Sequence, residues 1–296
     1  MAQVIRVGSH PMNFSLFILR RREVLEPIAA LHGWDVEWVD YTEGRDSARL
    51  LADGKVDWVG TGSTPPIYAQ NAGLDVAYVG ATSSRPQGSA LLVKNDSVIN
   101  EAKQLKGIRV ASTSGSYTDH FLATVLLGAG LSLKDIQSVD LPGRRGQAAL
   151  LANEVDVWAA LDPLLTEQLK QGDVRSIAEV GSFIPNRSMY WARQRWLANS
   201  TDQAATIFKV LQANDEWIAS HVDEAAAIIA RDHEAGIADR EWATVLSKRS
   251  WEILPANSSI LKEQYSQART LFEAGWLSRN PDQPVGVDLI SGGGHA

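Results

Sequence analysis

The sequence contains no cysteine among its 296 residues. A chain without thiols can form no disulfide, no thiolate zinc site and no iron–sulfur cluster, and it has no cysteine nucleophile. The absence leaves the cellular compartment open, because exported and cytosolic proteins can both lack cysteine.

Long apolar runs and basic clusters are missing as well. No stretch approaches 18 uninterrupted apolar residues, the length that predicts a membrane-spanning helix. Because 28 Lys and Arg stand against 35 Asp and Glu, the formal net charge is −7, and we expect no binding to nucleic acid. With 45% hydrophobic residues the chain is globular in composition, and its length suits two ordinary domains or one large one.

Signatures of catalysis are scarce. Residues 60–65 begin like a dinucleotide-binding fingerprint, but Pro65 stands where the last glycine belongs. The sequence has no G-x-S-x-G elbow and no H-E-x-x-H, and its six histidines show no metal-ligand spacing. We therefore expect no catalytic residue, no metal, no cofactor and no enzymatic activity.

Short runs rich in Val and Ile alternate with helical segments, a pattern typical of an α/β fold with mainly parallel sheets. Strands are predicted over Val4–Gly8, Val36–Asp40, Val56–Gly60, Val76–Ala81, Ala90–Val93, Arg109–Ser112, Ser138–Asp140 and Val155–Ala160. Helices are predicted over Asp46–Asp53 and Tyr117–Ala129, and from about Asn199 onward the pattern is helical without clear strands.

An internal repeat indicates how the chain is organised. The run Ile5–Ser9 resembles Ile108–Ser112. Further matches come in the same order and at nearly the same spacing: Val39-Asp40 with Val139-Asp140, Leu50–Ala52 with Leu150–Ala152, and Val56-Asp57 with Val155-Asp156. The alternative is that α/β units merely share a generic strand–helix pattern. We interpret the series as two similar lobes.

The second lobe is predicted to be inserted into the first. Lobe I comprises residues 1–88 and 194–296, lobe II comprises residues 89–193, and the chain crosses near 84–89 and 186–193. Two such lobes would enclose a cleft at the carboxyl ends of their strands, where open α/β sheets bind ligands, and the joint could close around a ligand.

Residues directly after the predicted strands are the candidates for lining this cleft. They are His10 and Pro11, Ser63 and Thr64, Ser84 and Arg85, and Gly115, Ser116 and Tyr117. Small hydroxyls and exposed amides at helix starts, with the helix dipole behind them, suit a small ionised oxyanion. Alternatively, Ser and Thr at these positions only cap helices, and Arg85 lies in solvent instead of holding the anion.

Two further residues lie at the end of the strand predicted at Val155–Ala160. Trp158 is a candidate for packing an apolar ligand tail, or else it is a core residue. Asp162 either accepts a hydrogen bond from a ligand or caps the next helix.

Several blocks of the sequence resemble a known family. They are Gly62–Gly73 with its Pro-Pro-x-x-Ala-Gln-Asn-x-Gly pattern, Gly107–Ala111 with Gly115-Ser116, Ala129–Leu131, Val155–Ala159 with Asp162-Pro163, and Asn186-Arg187. Together they are similar, over roughly residues 4–280, to the periplasmic substrate-binding proteins of ABC importers for sulfonates, taurine and nitrate, and most of all to the aliphatic-sulfonate-binding branch.

This resemblance implies a bilobal type II periplasmic-binding-protein fold, the venus flytrap, with two mixed α/β lobes, a cleft and two crossover strands. It also implies a monomer that captures a small organic sulfonate anion and delivers it to the permease and ATPase of an importer. The sulfonate would meet Ser63, Thr64, Ser116 and Tyr117, with Ser84 and Arg85 nearby. A periplasmic location is implied by the family alone, because the chain starts without a leader pattern.

Two departures leave the ligand open. Ser9-His10-Pro11 replaces the Gln-Lys pattern expected after the first strand, and Ser83–Pro86 lacks an acidic residue common in relatives. Taurine, nitrate or a sulfate ester remains an alternative ligand, as does a pyrimidine precursor of thiamine, bound or converted. A desulfinase of the same fold would need a cysteine, and a LysR-type effector domain would need a preceding DNA-binding segment.

Overall fold

The computed structural model describes residues 3–233, 236–289 and 294–295. Contacts within the chain divide it into two compact units. The first unit comprises Met1–Ser83, Arg187–Ser266 and Pro281–Ala296, and the second comprises Ser84–Asn186 and Gln267–Asn280. The lobe boundaries given by the sequence analysis stay a prediction.

Strands and helices alternate through most of the described chain, as the sequence predicts. The strands are β1 (Gln3–Ser9), β2 (Trp34–Asp40), β3 (Trp58–Gly62), β4 (Val76–Thr82), β5 (Ser89–Lys94), β6 (Arg109–Ser112), β7 (Gln137–Asp140), β8 (Val157–Leu161), β9 (Val174–Glu179), β10 (Ser188–Arg193), β11 (Ile253–Pro255), β12 (Val287–Asp288) and β13 (Gly294–His295).

The helices are α1 (Phe14–Arg22), α2 (Leu25–Leu31), α3 (Ser47–Ala52), α4 (Thr64–Asn71), α5 (Tyr117–Gly128), α6 (Arg144–Leu151), α7 (Leu164–Gln171), α8 (Gln194–Leu197), α9 (Thr201–Ser220), α10 (Val222–Asp232), α11 (Asp239–Ser247) and α12 (Ser258–Glu273). Short 3₁₀ turns occur at Gly44–Asp46, Ala102–Leu105, Leu133–Asp135 and Val180–Ser182. No helix in the described residues is both long and apolar enough to cross a membrane.

The first unit is built on a mixed six-stranded sheet in the order β11-β4-β10-β3-β1-β2. β1 runs parallel to β2 and β3, whereas β10 is antiparallel to both of its neighbours, β3 and β4. Successive side chains of a strand point to opposite faces, so Tyr190 and Ala192 join one core cluster while Met189 and Trp191 join another. Both faces of this sheet are therefore buried.

The second unit is built on a mixed five-stranded sheet in the order β7-β6-β8-β5-β9. β6 is parallel to β7 and β8, and β5 is antiparallel to β8 and β9. Along β5, Leu91 and Val93 face one core cluster and Ala90 and Leu92 face the other. The predicted α/β class, with two mixed sheets, is confirmed.

The internal repeat predicted from the sequence is present in the sheets. The order β2-β1-β3-β10-β4 in the first unit corresponds to β7-β6-β8-β5-β9 in the second. In the first unit the amide of Arg6 donates to Asp57 Oδ2 at 2.8 Å, and in the second the amide of Arg109 donates to Asp156 Oδ2 at 3.1 Å. The repeated Arg and Asp residues thus fix the same junction, between β1 and β3 in the first unit and between β6 and β8 in the second.

Five strands lie where the sequence analysis predicts none, namely β9, β10, β11, β12 and β13. β10 falls on the predicted second crossing, yet it is a central strand of the first unit's sheet. Its sequence, Ser-Met-Tyr-Trp-Ala-Arg, is short and has buried residues on both faces, so it shows no period-2 alternation of apolar and polar residues.

Candidate ligand-binding site

The predicted site residues fall into both units. His10, Pro11, Ser63 and Thr64 belong to the first unit. Ser84, Arg85, Gly115, Ser116, Tyr117, Trp158 and Asp162 belong to the second. The predicted cleft, and the ligand contacts of these residues, stay a prediction.

Three polar residues lie between the end of β1 and the start of helix α1. Ser9 ends the strand and is 1% exposed, His10 comes next at 5%, and Asn13 precedes the helix at 2%. Asn13 caps α1, because its Oδ1 accepts a hydrogen bond from the amide of Leu16 at 3.1 Å. Pro11 lies in the turn between them and is only partly buried. The loop is therefore polar in composition but largely withdrawn from solvent.

His10 is a buried, uncharged imidazole. Burial lowers the pKa of His10 to about 4, against the smaller, opposing influence of the Gly60 backbone. Neither ring nitrogen meets the geometry of a hydrogen bond within the described residues. The ring lies 5.2 Å from that of Tyr41, centroid to centroid. At neutral pH this side chain is one donor and one acceptor, without charge.

The turn after β3 starts helix α4 with Ser63 at the N-cap position, as predicted, but its hydroxyl makes no capping bond. Pro65 and Pro66 occupy the first helical turn and have no N–H. This turn therefore offers fewer amide donors than a helix start usually does. Ser63 is held instead through its carbonyl, which accepts a hydrogen bond from Gln264, and Thr64 is fully buried.

The turn after β6 is closed by its own hydrogen bonds. The amide of Ser114 donates to Asp140 Oδ1 at 3.0 Å, and that of Gly115 donates to Asp119 Oδ2 at 2.8 Å. Gly115 adopts a left-handed φ of 78°, which glycine tolerates best. Ser116 is a true N-cap of α5, its Oγ accepting from the amide of Thr118 at 3.2 Å. The capping interpretation therefore accounts for Ser116.

Tyr117 opens α5 and is partly buried against one core cluster of the second unit. Ser84 and Arg85 form a different arrangement with Pro185 and Asn186. Ser84 Oγ donates to the carbonyl of Pro185 at 2.8 Å, and Arg85 Nε donates to the carbonyl of Asn186 at 3.0 Å. In return, Asn186 Nδ2 donates to the carbonyl of Arg85 at 3.1 Å. These bonds tie the two segments to each other.

For Asp162 and Trp158 the structure provides roles within the protein. Asp162 Oδ1 accepts from the amide of Thr166 at 3.1 Å, so it satisfies a donor in the first turn of α7. Trp158 is 2% exposed and packs in an apolar cluster, where a Cβ added at Gly146 would lie 2.6 Å from its indole. Core packing therefore accounts for Trp158 without a ligand.

The comparisons with known proteins are consistent with this architecture. The family described as NMT1/THI5 like matches residues 30–225, more than half of the chain. The chain belongs to this family. An Escherichia coli (strain K12) protein, by name an aliphatic sulfonates-binding protein, is 27% identical over 281 residues, which are 95% of this chain and 87% of that protein.

Two further proteins are similar to this NMT1/THI5-like chain, one over nearly its whole length and the other over less than half of it. The crystal structure of the periplasmic aliphatic sulphonate binding protein SsuA from Escherichia coli matches with a TM-score of 0.84 and 26% identity, over 95% of this chain and 96% of that one. A Haemophilus influenzae protein, by name a thiamine biosynthesis protein, is 31% identical over 123 residues, which are 41% of this chain and 38% of that protein. The predicted resemblance and the predicted fold are confirmed.

Sequence reasoning missed four polar residues of this NMT1/THI5-like chain near the predicted ones. Asn13 and Tyr41 lie beside His10, while Asp119 and Asp140 bind the amides of the turn after β6. The repeat held a signal for Asp140, which belongs to one of the matched Val-Asp pairs. Asp119 stands four residues after Gly115. That spacing alone does not tell whether the carboxylate only interacts with the helix dipole or also accepts a hydrogen bond from the Gly115 amide.

Proposed function

We propose that this protein is the solute-binding component of an ABC importer that captures aliphatic sulfonates in the periplasm for sulfur uptake. The observation that carries the proposal is the similarity over 95% of the chain to an aliphatic sulfonates-binding protein. The matching fold of the SsuA structure, over nearly the whole of both chains, supports it. The partners are then the permease and ATPase of the importer, and the protein acts as a monomer without cofactor or catalysis.

The chemistry of the first unit supports a permanently ionised ligand. Ser9, His10, Asn13 and Ser63 are buried polar residues that carry no charge at neutral pH. Neutral donors can hold an anion that never takes up a proton, such as a sulfonate, without the desolvation penalty of a buried counter-charge. We therefore expect selection for anions that stay ionised across physiological pH.

A thermal-denaturation panel tests the proposal. Ethanesulfonate, pentanesulfonate, taurine, nitrate and methyl sulfate are each added at equal concentration, with chloride as the control for ionic strength. A ligand at 100 times its Kd stabilises the folded state by about 2.7 kcal/mol. We expect the alkanesulfonates to raise the Tm and chloride to leave it unchanged. No rise with any sulfonate contradicts the proposal, and release of sulfite from one would show an enzyme.

A second candidate is binding of the pyrimidine precursor of thiamine. It is favoured by the partial similarity to the thiamine biosynthesis protein and by the His10–Tyr41 pair, whose rings lie 5.2 Å apart. An aromatic and imidazole surface suits a flat heterocycle better than an alkyl chain does. Adding the aminopyrimidine to the same panel separates the two candidates, because only one class of ligand should raise the Tm.

A further inference from the structure

The first unit holds a cluster of buried polar atoms that are not hydrogen-bonded. They are Ser9 Oγ, both ring nitrogens of His10, Asn13 Nδ2 and the Tyr41 hydroxyl, none of which meets the geometry of a hydrogen bond in the described residues, although the Gly60 backbone acts on the His10 ring. Leaving a buried polar group unpaired destabilises the folded state. Several such groups in one cluster lower the stability of the folded protein. Because a ligand could supply the missing hydrogen-bond partners, the cluster indicates a binding role.

The residues that carry these groups lie around the carboxyl end of strand β1. Ser9 ends β1, and its carbonyl accepts from the amide of Tyr41 at 3.1 Å, which places Tyr41 beside the same strand end. The ring of Tyr41 lies 5.2 Å from that of His10. The carbonyl of His10 accepts from the amide of Asn13 at 3.1 Å, so the turn brings Asn13 back toward the strand.

The orientation of Asn13 is fixed by its capping role. Because Oδ1 accepts from the amide of Leu16, the amide group Nδ2 must point the other way, toward Gly60 on β3. A Cβ at position 60 would lie 2.5 Å from Asn13 Nδ2 and 2.7 Å from the ring of Tyr190. The absence of a side chain at Gly60 is therefore required for Asn13 to present its donor.

Every member of the cluster is uncharged at neutral pH. Burial keeps His10 neutral by lowering its pKa to about 4, and burial, followed by the nearby Asp46, raises the pKa of the Tyr41 phenol. Nearby Arg45 is paired with Glu43 and Arg20 with Asp40, while Asp46 adds a negative charge near Tyr41. The cluster is thus a set of neutral donors without a competing carboxylate within its own hydrogen bonds.

The turn after β6 in the second unit differs because carboxylates take part in its hydrogen bonds, although Ser112 Oγ at the end of β6 is also buried without a hydrogen bond in the described residues. Its amides at Ser114 and Gly115 already donate to the carboxylates of Asp140 and Asp119, and that of Ser116 donates to the carbonyl of Thr113 at 3.2 Å. An anion there would have to displace two negative groups, which repel it at close range. The amide-rich appearance of this turn in the sequence does not make it a free oxyanion site.

We propose that the anionic headgroup of the ligand is bound by the donors of Ser9, His10, Asn13 and Tyr41 in the first unit, and not by the amides of Ser114–Ser116. This inference rests on the proposed function and specifies which part of the predicted site selects the sulfonate.

The variant Asn13→Asp tests it. Aspartate caps a helix as well as asparagine does, so the bond to Leu16 and the fold are retained. The donor Nδ2 is replaced by a carboxylate oxygen that repels the anion. We expect the affinity for ethanesulfonate, measured by isothermal titration calorimetry on the folded variant, to fall by roughly 30-fold or more, while the urea midpoint without ligand also falls because the new carboxylate is buried.

The matched control is Asp119→Asn in the second unit. Its Oδ1 can still accept from the amide of Gly115, but the negative charge is gone. If the headgroup is bound in the first unit, ethanesulfonate affinity stays within roughly threefold of the unmodified protein. A large gain in affinity in Asp119→Asn, with no loss in Asn13→Asp, would overturn the inference.

Tyr41→Phe keeps the proposal testable if Asn13→Asp fails to fold. Removing a buried hydroxyl that has no partner should leave the free protein as stable or more stable. Binding should nevertheless weaken by about fivefold to tenfold, because a donor to the anion is lost. Unchanged affinity in this variant also contradicts the inference. If the unmodified protein binds no sulfonate, the proposed function fails, and the inference fails with it.

Discussion

Acid should destabilise this protein through its buried histidines, His10 above all. In the folded protein burial lowers the pKa of His10 to about 4, whereas an exposed histidine titrates near 6.5. Between these two values the unfolded chain binds a proton at His10 that the folded protein does not. As pH falls through this window, protonation of His10 lowers the free energy of the unfolded state, so the free energy of unfolding decreases.

The size of the effect is set by the two pKa values. The full difference corresponds to about 3 kcal/mol, reached once the pH is below 4. Between pH 7 and pH 5 the loss from His10 is about 2 kcal/mol. His120, whose pKa burial lowers to about 3, adds a similar loss over the same interval. Together these two groups account for a large part of the stability of an ordinary domain.

Urea unfolding at pH 7 and pH 5 measures the loss, and His10→Gln isolates the share of His10. Glutamine cannot take up the proton, so the variant should lose about 2 kcal/mol less than the unmodified protein between the two pH values. His32→Gln, at an exposed position, controls for the exchange itself. If His10→Gln and the unmodified protein lose the same free energy of unfolding, His10 is not a buried neutral imidazole and the reasoning is wrong.

Three further predictions concern packing, the repeated ion pair and the ligand. Gly60→Ala should cost about 1–3 kcal/mol in urea unfolding, since its Cβ would meet three side chains closer than 3.0 Å; Gly128→Ala, with open space around it, is the control and should cost nothing. Asp156→Ala should cost about 1–2 kcal/mol, and Arg109→Ala clearly less, because Asp156 also accepts from the backbone of residue 109; equal losses would contradict this. Saturating ethanesulfonate should lessen the acid destabilisation carried by His10, because a bound anion favours the imidazolium; an unchanged pH profile would place the anion elsewhere.

The alternation of strands and helices could be predicted from the sequence because buried strands and helices each require a characteristic pattern of apolar residues. A strand that is buried on both faces of its sheet is apolar along most of its length, and β4 and β5 show this plainly. β10 escaped detection because it is short, shows no alternation of apolar and polar residues, and leads directly into helix α8. Its place between β3 and β4 depends on pairing with residues more than 100 positions away.

The candidate site was predictable in outline and not in its contacts. Strand ends identified the loops at His10, Ser63 and Ser116, since the order of the sequence fixes which residues come after each strand. Whether an amide in those loops is open to a ligand depends on distant carboxylates. Asp140 is 26 positions from Ser114, whose amide it binds at 3.0 Å. A local sequence pattern cannot predict a contact between residues so far apart in the chain.

The sequence alone determined that cysteine chemistry is excluded, that α/β units repeat and which family the chain belongs to, because residue types and their order carry that information directly. Tertiary structure alone decided which polar groups are already used. Hydrogen bonds and desolvation act through space, so the same loop of hydroxyls and amides is satisfied by carboxylates at Gly115 and left unpaired at His10.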